Sequence, residues 1–181
     1  RNGGIVKMSC CPNFVTPDTE YVPMNHLNES RKKPNDRSDY QFTADAFFVG
    51  EWKQHLDMTL LLDYIILNED RHFGNFGLIR DVNTGEFVSP APIFDSGSSM
   101  YYDSRITSVI PEAKPFSKDF EKQLGYIDAR PFLEGLMELS DCIGRLVDEC
   151  FTDEYETAER AAQIKRITAG RVQKALTLAR A

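Results

Sequence analysis

No stretch of this 181-residue sequence stays apolar for the roughly 18 residues that a membrane-spanning helix needs, and no apolar segment near its start has the form of a secretory leader. Histidine is scarce, at three, and the four cysteines (Cys10, Cys11, Cys142 and Cys150) form no C-x-x-C pair, so zinc-binding spacing is absent. An excess of positive charge is lacking too. The net charge is −7, a long-range field that repels nucleic acid, so neither direct nucleic-acid binding nor membrane association is expected. There is no internal repeat and no low-complexity tract. With 41% apolar and 27% charged residues the composition is that of a globular protein, read here as one domain over residues 1–181. Unpaired thiols and the missing leader make a cytoplasmic location the expectation.

The chain divides by its periodicities. Residues 5–10, "IVKMSC", alternate weakly and predict a short strand. Residues 12–43 carry several prolines and a charge run without sustained period, and read as loop with short helical turns; Arg31, Lys32 and Lys33 within it are expected to be solvated. From about Ala44 to Leu67, residues Leu56, Leu60, Leu61, Tyr64 and Ile65 fall on one helical face. "FGLIR" and "EFVSPAPIF" flank the turn-forming "DVNTG" and predict a β-hairpin. After a loop-like stretch beyond Tyr102, Pro131 opens a helix with a stripe of Phe132, Leu136, Leu139, Ile143, Leu146, Val147 and Cys150. A last helix, about 154–179, carries Ala161, Ile164, Thr168, Val172, Ala175, Leu176 and Ala179 on one face. The fold class expected is mainly α with a small β-hairpin.

The chemistry is concentrated where the buried helix runs into "NEDRHFGNFG", residues 68–77. Asp70 and Asn75 are five residues apart, which is the separation of base and metal-binding amide in the protein-kinase catalytic loop. The hairpin that follows ends in Asp95-Ser96-Gly97, a D-x-G tripeptide in the place where protein kinases keep a metal-binding Asp. A carboxylate, a carboxamide and a second carboxylate meet the needs of phosphoryl transfer from ATP: one group to take the hydroxyl proton, and hard oxygens to hold Mg²⁺ against the phosphates. The bland alternative is that Asp and Asn here only form turns and caps.

"LLDYIILNEDRHFGNFGLIRD" followed by "APIFDSGSSM" resembles the C-terminal lobe of HipA-like Ser/Thr kinases, protein-kinase-like enzymes of bacteria, some of which act as toxins in toxin–antitoxin pairs. "KPFSKDFEKQLGYI" and the helical tail are consistent with it. The resemblance implies a protein-kinase-like fold and a transferase that uses ATP as substrate and Mg²⁺ as cofactor. Asp70 is then the catalytic base, with Asn75 and Asp95 as metal and nucleotide ligands. His72 is carried as a further catalytic candidate, contacting the γ-phosphate or holding the loop, against capping a helix end or pairing with Glu69. For Arg71 the cap or the Glu69 pair is the expectation. Gly74 and Gly77 are expected to supply backbone conformations closed to other residues, and Gly97 to let Asp95 approach the metal. Ser96, Ser98, Ser99 and Tyr101 are read as ordinary loop hydroxyls.

The strand lysine and phosphate-gripping loop of a kinase small lobe are not recognisable in the chain, so it reads as a large lobe starting near the inter-lobe hinge. Its expected partners are an N-terminal lobe, on the same or a separate polypeptide, a protein substrate and, as in some members of the family, an antitoxin. Two other functions fit the same residues. The string D-R-H-x-x-N also resembles phosphoinositide kinases, which makes a lipid or small-molecule kinase one alternative. A non-catalytic pseudokinase-like binding module is the other.

Overall fold

A computed structural model describes residues 12–47, 51–101, 113–116, 119–150 and 158–181. Its elements in chain order are β1 (Thr19–Pro23), α1 (Met24–Glu29), α2 (Asp39–Ala44), α3 (Trp52–Ile66), β2 (Gly77–Asp81), β3 (Phe87–Pro90), α4 (Phe120–Leu124), a 3₁₀ turn (Arg130–Phe132), α5 (Leu133–Cys150) and α6 (Ala158–Ala179). The protein is mainly helical with one small antiparallel sheet, as expected. The sheet has three strands instead of two, in the order β1-β2-β3. Strand β1 pairs with β2 from Thr19↔Asp81 to Pro23↔Gly77, and the hairpin partner β3 pairs on the other side with a bulge between Ile79 and Arg80.

Helix α3 organises the interior because nine of its fifteen residues are buried. Its first half, with Trp52, Leu56 and Leu60, packs with Met24, Leu27, Tyr40, Ala44, Phe76 and Leu78. Its second half, with Leu61, Tyr64 and Ile65, packs with Phe120 and Leu124 of α4, Leu136 and Ile143 of α5, and Val172, Ala175 and Leu176 of α6. A helix buried on several faces must satisfy each polar group it carries. Asp57 accepts from Tyr40 Oη, from Lys53 Nζ at 2.6 Å and from the Asp128 amide at 3.2 Å. Trp52 Nε1 donates to the Thr43 carbonyl at 2.9 Å, which ties α2 to the start of α3.

Several expectations are corrected at their edges. The helix expected from Ala44 starts at Trp52, because α2 already ends at Ala44 after a Ser38/Gln41 capping box. The stretch 12–43, expected as loop with short helical turns, carries the six-residue helices α1 and α2 and, beyond that expectation, strand β1. Arg31 is only partly solvated, its guanidinium lying 4.3 Å from the Phe42 ring and donating to the Leu27 carbonyl and Asn28 Oδ1, whereas Lys32 and Lys33 are exposed as expected, Lys33 pairing with Asp39 at 2.6 Å. Pro131 falls in the 3₁₀ turn just before α5. Leu146, expected inside, is 42% exposed, whereas Leu136, Ile143 and Val147 are buried. The short helix α4 had no clear sequence signal. The expected strand over 5–10 and the side chain of Cys150 lie outside the described residues.

Gly77 opens β2 where it crosses Pro23. A Cβ there would sit 2.2 Å from the Val22 carbonyl oxygen, a backbone atom that cannot swing away. Its need for glycine is one of space, not of backbone conformation, since among the described glycines only Gly85 has positive φ. Gly77→Ala is therefore expected to destabilise the protein by about 1–3 kcal/mol, the usual range for overpacking. Gly135→Ala in α5 meets open space and is expected to stabilise by about 0.5–1 kcal/mol. Urea unfolding of the two variants checks both signs.

Candidate active site

Helix α3 ends on Leu67, which takes left-handed backbone (φ 56°) while its side chain stays buried, and the Asn68 amide closes the turn on the Asp63 carbonyl at 3.0 Å. That turn redirects the chain into a loop that keeps Asn68, Arg71, Asn75 and Phe76 buried while His72 is exposed. Its backbone is then held at nearly every step. The Asp70 carbonyl accepts from the His72 amide (2.8 Å) and from Asn75 Nδ2 (3.3 Å), and the His72 carbonyl accepts from the Asn75 amide (2.9 Å). The first amides of α1 reach across to the loop, Asn25 to the Phe73 carbonyl and Met24 to the Phe76 carbonyl, both at 3.0 Å. Tyr21 Oη donates to the Gly74 carbonyl at 2.9 Å. Strand β1, missed in the sequence, and helix α1, expected only as an unplaced helical turn, are thus the braces of the loop.

Arg71 sits at the centre with no exposed surface. It neither caps a helix nor pairs with Glu69. Its Nε and Nη2 fork onto Asp63 at 2.9 and 3.0 Å, Nη1 donates to the carbonyls of Asn75 (2.9 Å) and Phe94, and Nη2 also donates to Ser96 Oγ (2.9 Å). One guanidinium therefore joins the loop that carries Asp70 and Asn75 to the two neighbours of Asp95. Asp63 also accepts from Asn68 Nδ2 at 2.8 Å. Burial pushes the Asp63 carboxyl up from its ordinary value, and Arg71 and Asn68 pull against that. The signal for this pair was present in the sequence as a lone carboxylate inside "LLLDYIIL", which demands a buried cation.

The candidate side chains differ in exposure. Asn75 is buried, and its Nδ2 bond to Asp70 leaves Oδ1 as the amide atom available to a cation. Asp95 is exposed and left-handed (φ 54°), an uncommon conformation for a non-glycine residue. His72 is exposed, and its Nδ1 accepts from the Gly74 amide at 3.0 Å, so the neutral ring carries its proton on Nε2. Asp70 pairs with Lys114, Nζ to Oδ1 at 2.8 Å, and that hydrogen bond holds its carboxyl below the usual range. Lys114, 44 positions away, was not singled out in the sequence. An oriented amide oxygen and an exposed carboxylate suit Mg²⁺, which keeps waters and phosphate oxygens in its shell. Among the described residues no group of three His, Cys, Asp or Glu side chains gathers as a metal site. A large open groove of about 1010 Å³ lies elsewhere, lined by Arg31, Arg37, Phe42, Trp52, Lys53 and Asp128, and includes none of the candidate residues.

No protein-family model and no curated protein matches the chain. A solved structure does: a proinflammatory kinase of Helicobacter pylori, CtkA, aligns over 92% of this chain and 74% of its own, with a TM-score of 0.56 and 19% identity. The fold is kinase-like. At that identity the likeness speaks for the architecture, and the chemistry rests on the residues above.

Arg71→Met would leave Asp63 buried beside carbonyls that have lost their donor. The expected loss is about 3–5 kcal/mol, the range for breaking one side of a buried pair. Arg71→Lys keeps the charge but not the fork and should fall between. Chemical denaturation measures the loss, and amide exchange should accelerate at Glu69 and Met100, which bond to the Ser98 and Ile66 carbonyls. A change below about 1 kcal/mol would show that the pair does not hold the site together.

Proposed function

We propose that the chain carries the large-lobe machinery of an ATP-dependent Ser/Thr protein kinase of HipA-like type. The observation that carries the reading is the Arg71 junction, which fixes a D-x-x-x-x-N loop against a D-x-G segment on a kinase-like fold. Phosphoryl transfer asks little covalent work of a protein and much positioning, and a loop with its carbonyls this fully bonded meets that need.

Asp70 orients the acceptor hydroxyl and takes its proton as the oxygen attacks the γ-phosphorus; the bond to the bridging oxygen breaks and ADP leaves. Mg²⁺, when bound, would be held by Asn75 Oδ1 and the Asp95 carboxylate and would neutralise charge on the β- and γ-phosphates. His72 presents Nε2 on the exposed side of the loop, where it can donate to a phosphate oxygen. The H. pylori protein is described as a proinflammatory kinase, and the shared architecture supports a kinase reading without extending that biological role to this chain.

The test is transfer of radiolabel from γ-labelled ATP to a general protein acceptor by the intact protein. Asp70→Asn is expected to lower the rate by about 10²–10⁴-fold, the usual contribution of a positioned base. Asp95→Ala is expected to abolish Mg²⁺-dependent nucleotide binding in calorimetry. Transfer that survives both changes would refute the assignment. Labelling of phosphoinositide vesicles but not of protein would instead make the chain a lipid kinase, and nucleotide binding without any transfer would make it a binding module.

A further inference from the structure

Lys114 reaches Asp70 from a segment that the fold takes care to fix. Ala113, on one side, is buried in the core formed by α3, α5 and α6. The Lys114 carbonyl accepts from Nε2 of the buried Gln123 at 3.1 Å. On the other side Phe116 packs edge-on against Phe73 and Phe76 of the loop, with ring centroids 5.5 and 6.3 Å apart, and against Tyr40 at 5.7 Å. The backbone is anchored while the side chain is left 58% exposed, on a carboxylate that is itself 47% exposed. So solvated a pair adds little to stability, which gives no reason for the fold to aim a cation there.

The loop leaves a vacancy for that charge. From Asp70 to Asn75 its permanent cation is Arg71, whose donors are all committed inward, and its other basic side chain is His72, whose Nδ1 is taken up as acceptor of the Gly74 amide. A transferring phosphoryl group carries charge on three equatorial oxygens and needs a cation beside the base.

We infer that Lys114 is a further catalytic residue, whose ammonium passes from Asp70 Oδ1 to the γ-phosphoryl oxygens; the inference rests on the kinase reading given above. The four-carbon stem allows the shift without backbone movement. It leaves Asp70 Oδ1 open to the acceptor hydroxyl as the phosphate arrives, so one motion places the cation and uncovers the base. Lys114 transfers no proton: the hydroxyl proton goes to Asp70, the new O–P bond forms, and the electrons of the broken bond leave with ADP.

The experiment compares wild type, Lys114→Met and Lys114→Arg in radiolabel transfer to a general protein acceptor, with ADP affinity measured by calorimetry in the presence of Mg²⁺. Lys114→Met is expected to lower kcat about 10²-fold, as for loss of one charge-stabilising donor, while ADP affinity changes less than twofold and Lys114→Arg regains much of the rate. A Lys114→Met kcat within threefold of wild type, with Asp70→Asn inactive, would overturn the role of Lys114 and leave the kinase reading standing. Parallel loss of ADP binding would show a merely structural role and overturn it as well. An intact wild type, small lobe included, that transfers no label would remove the kinase reading itself.

Discussion

The Arg71–Asp63 pair is the constraint on which the site depends. Taking both charges out of water costs several kcal/mol for each, and the cost is offset only when every remaining donor and acceptor is met. Here it is. A guanidinium has five N–H donors in a fixed plane, and Arg71 makes five hydrogen bonds, two to Asp63 and one each to Asn75, Phe94 and Ser96. A lysine, with three donors around a point charge, could not span the same set. Because the partners belong to α3, to the loop after it and to the segment after β3, the pair fixes the relative position of three stretches that the sequence keeps up to 33 residues apart. It fixes the arrangement, and apolar packing supplies most of the stability.

Strain gathers around the same junction. Leu67, Asp95, Met100 and Tyr101 all have left-handed backbone, at a cost of about 1–3 kcal/mol each. Each is held by something specific. Leu67 and Tyr101 are buried, the Met100 amide bonds the Ile66 carbonyl at 2.9 Å, and Arg160 Nη2 donates to the Tyr101 carbonyl at 2.7 Å from α6. Asp95 lies between two residues bonded to Arg71, and the Phe94 ring packs on Phe14 and Tyr21, each at 5.4 Å. The bundle of α5 and α6 therefore does more than fill a core: it helps to keep Leu67, at the end of α3, and Tyr101 in conformations they would otherwise relax from.

The long helices were legible because fifteen or more residues of period 3.6 leave a pattern that no local accident imitates. The β2–β3 hairpin was legible through its turn chemistry. What stayed hidden was short: β1 and α4 were not foreseen, and α1 and α2 were expected only as unplaced helical turns, because five or six residues are too few for periodicity and β1 is set by its pairing with β2 more than by "TEYVP" itself. The candidates Asp70, Asn75 and Asp95 came from order and spacing and His72 from its place beside the proposed base, and the fold puts all four in one loop and the segment tied to it. Arg71 was misread because an arginine flanked by Glu69, Asp70 and His72 looks solvated; only the depth of Asp63 explains its burial. Lys114 left no local signal at all, since its contact is made by tertiary packing of Phe116.

Net charge illustrates how composition and site can point in different directions. An acidic chain of charge −7 opposes a long polyanion, whose many phosphates sample the whole surface field. A nucleotide samples only its cleft, because charges beyond about 8 Å are largely screened at physiological ionic strength. Around Asp70 the balance is local: Arg71 is cancelled by Asp63, Asp70 is met by Lys114, and Asp95 stands exposed. On the proposed reading such a site is short of positive charge until a divalent cation joins Asn75 and Asp95, and a phosphate chain arriving with that cation is what can draw Lys114 off its carboxylate. The same acidity that argues against nucleic acid would then make nucleotide entry conditional on the metal, because without it the phosphates would meet two carboxylates and a single mobile ammonium.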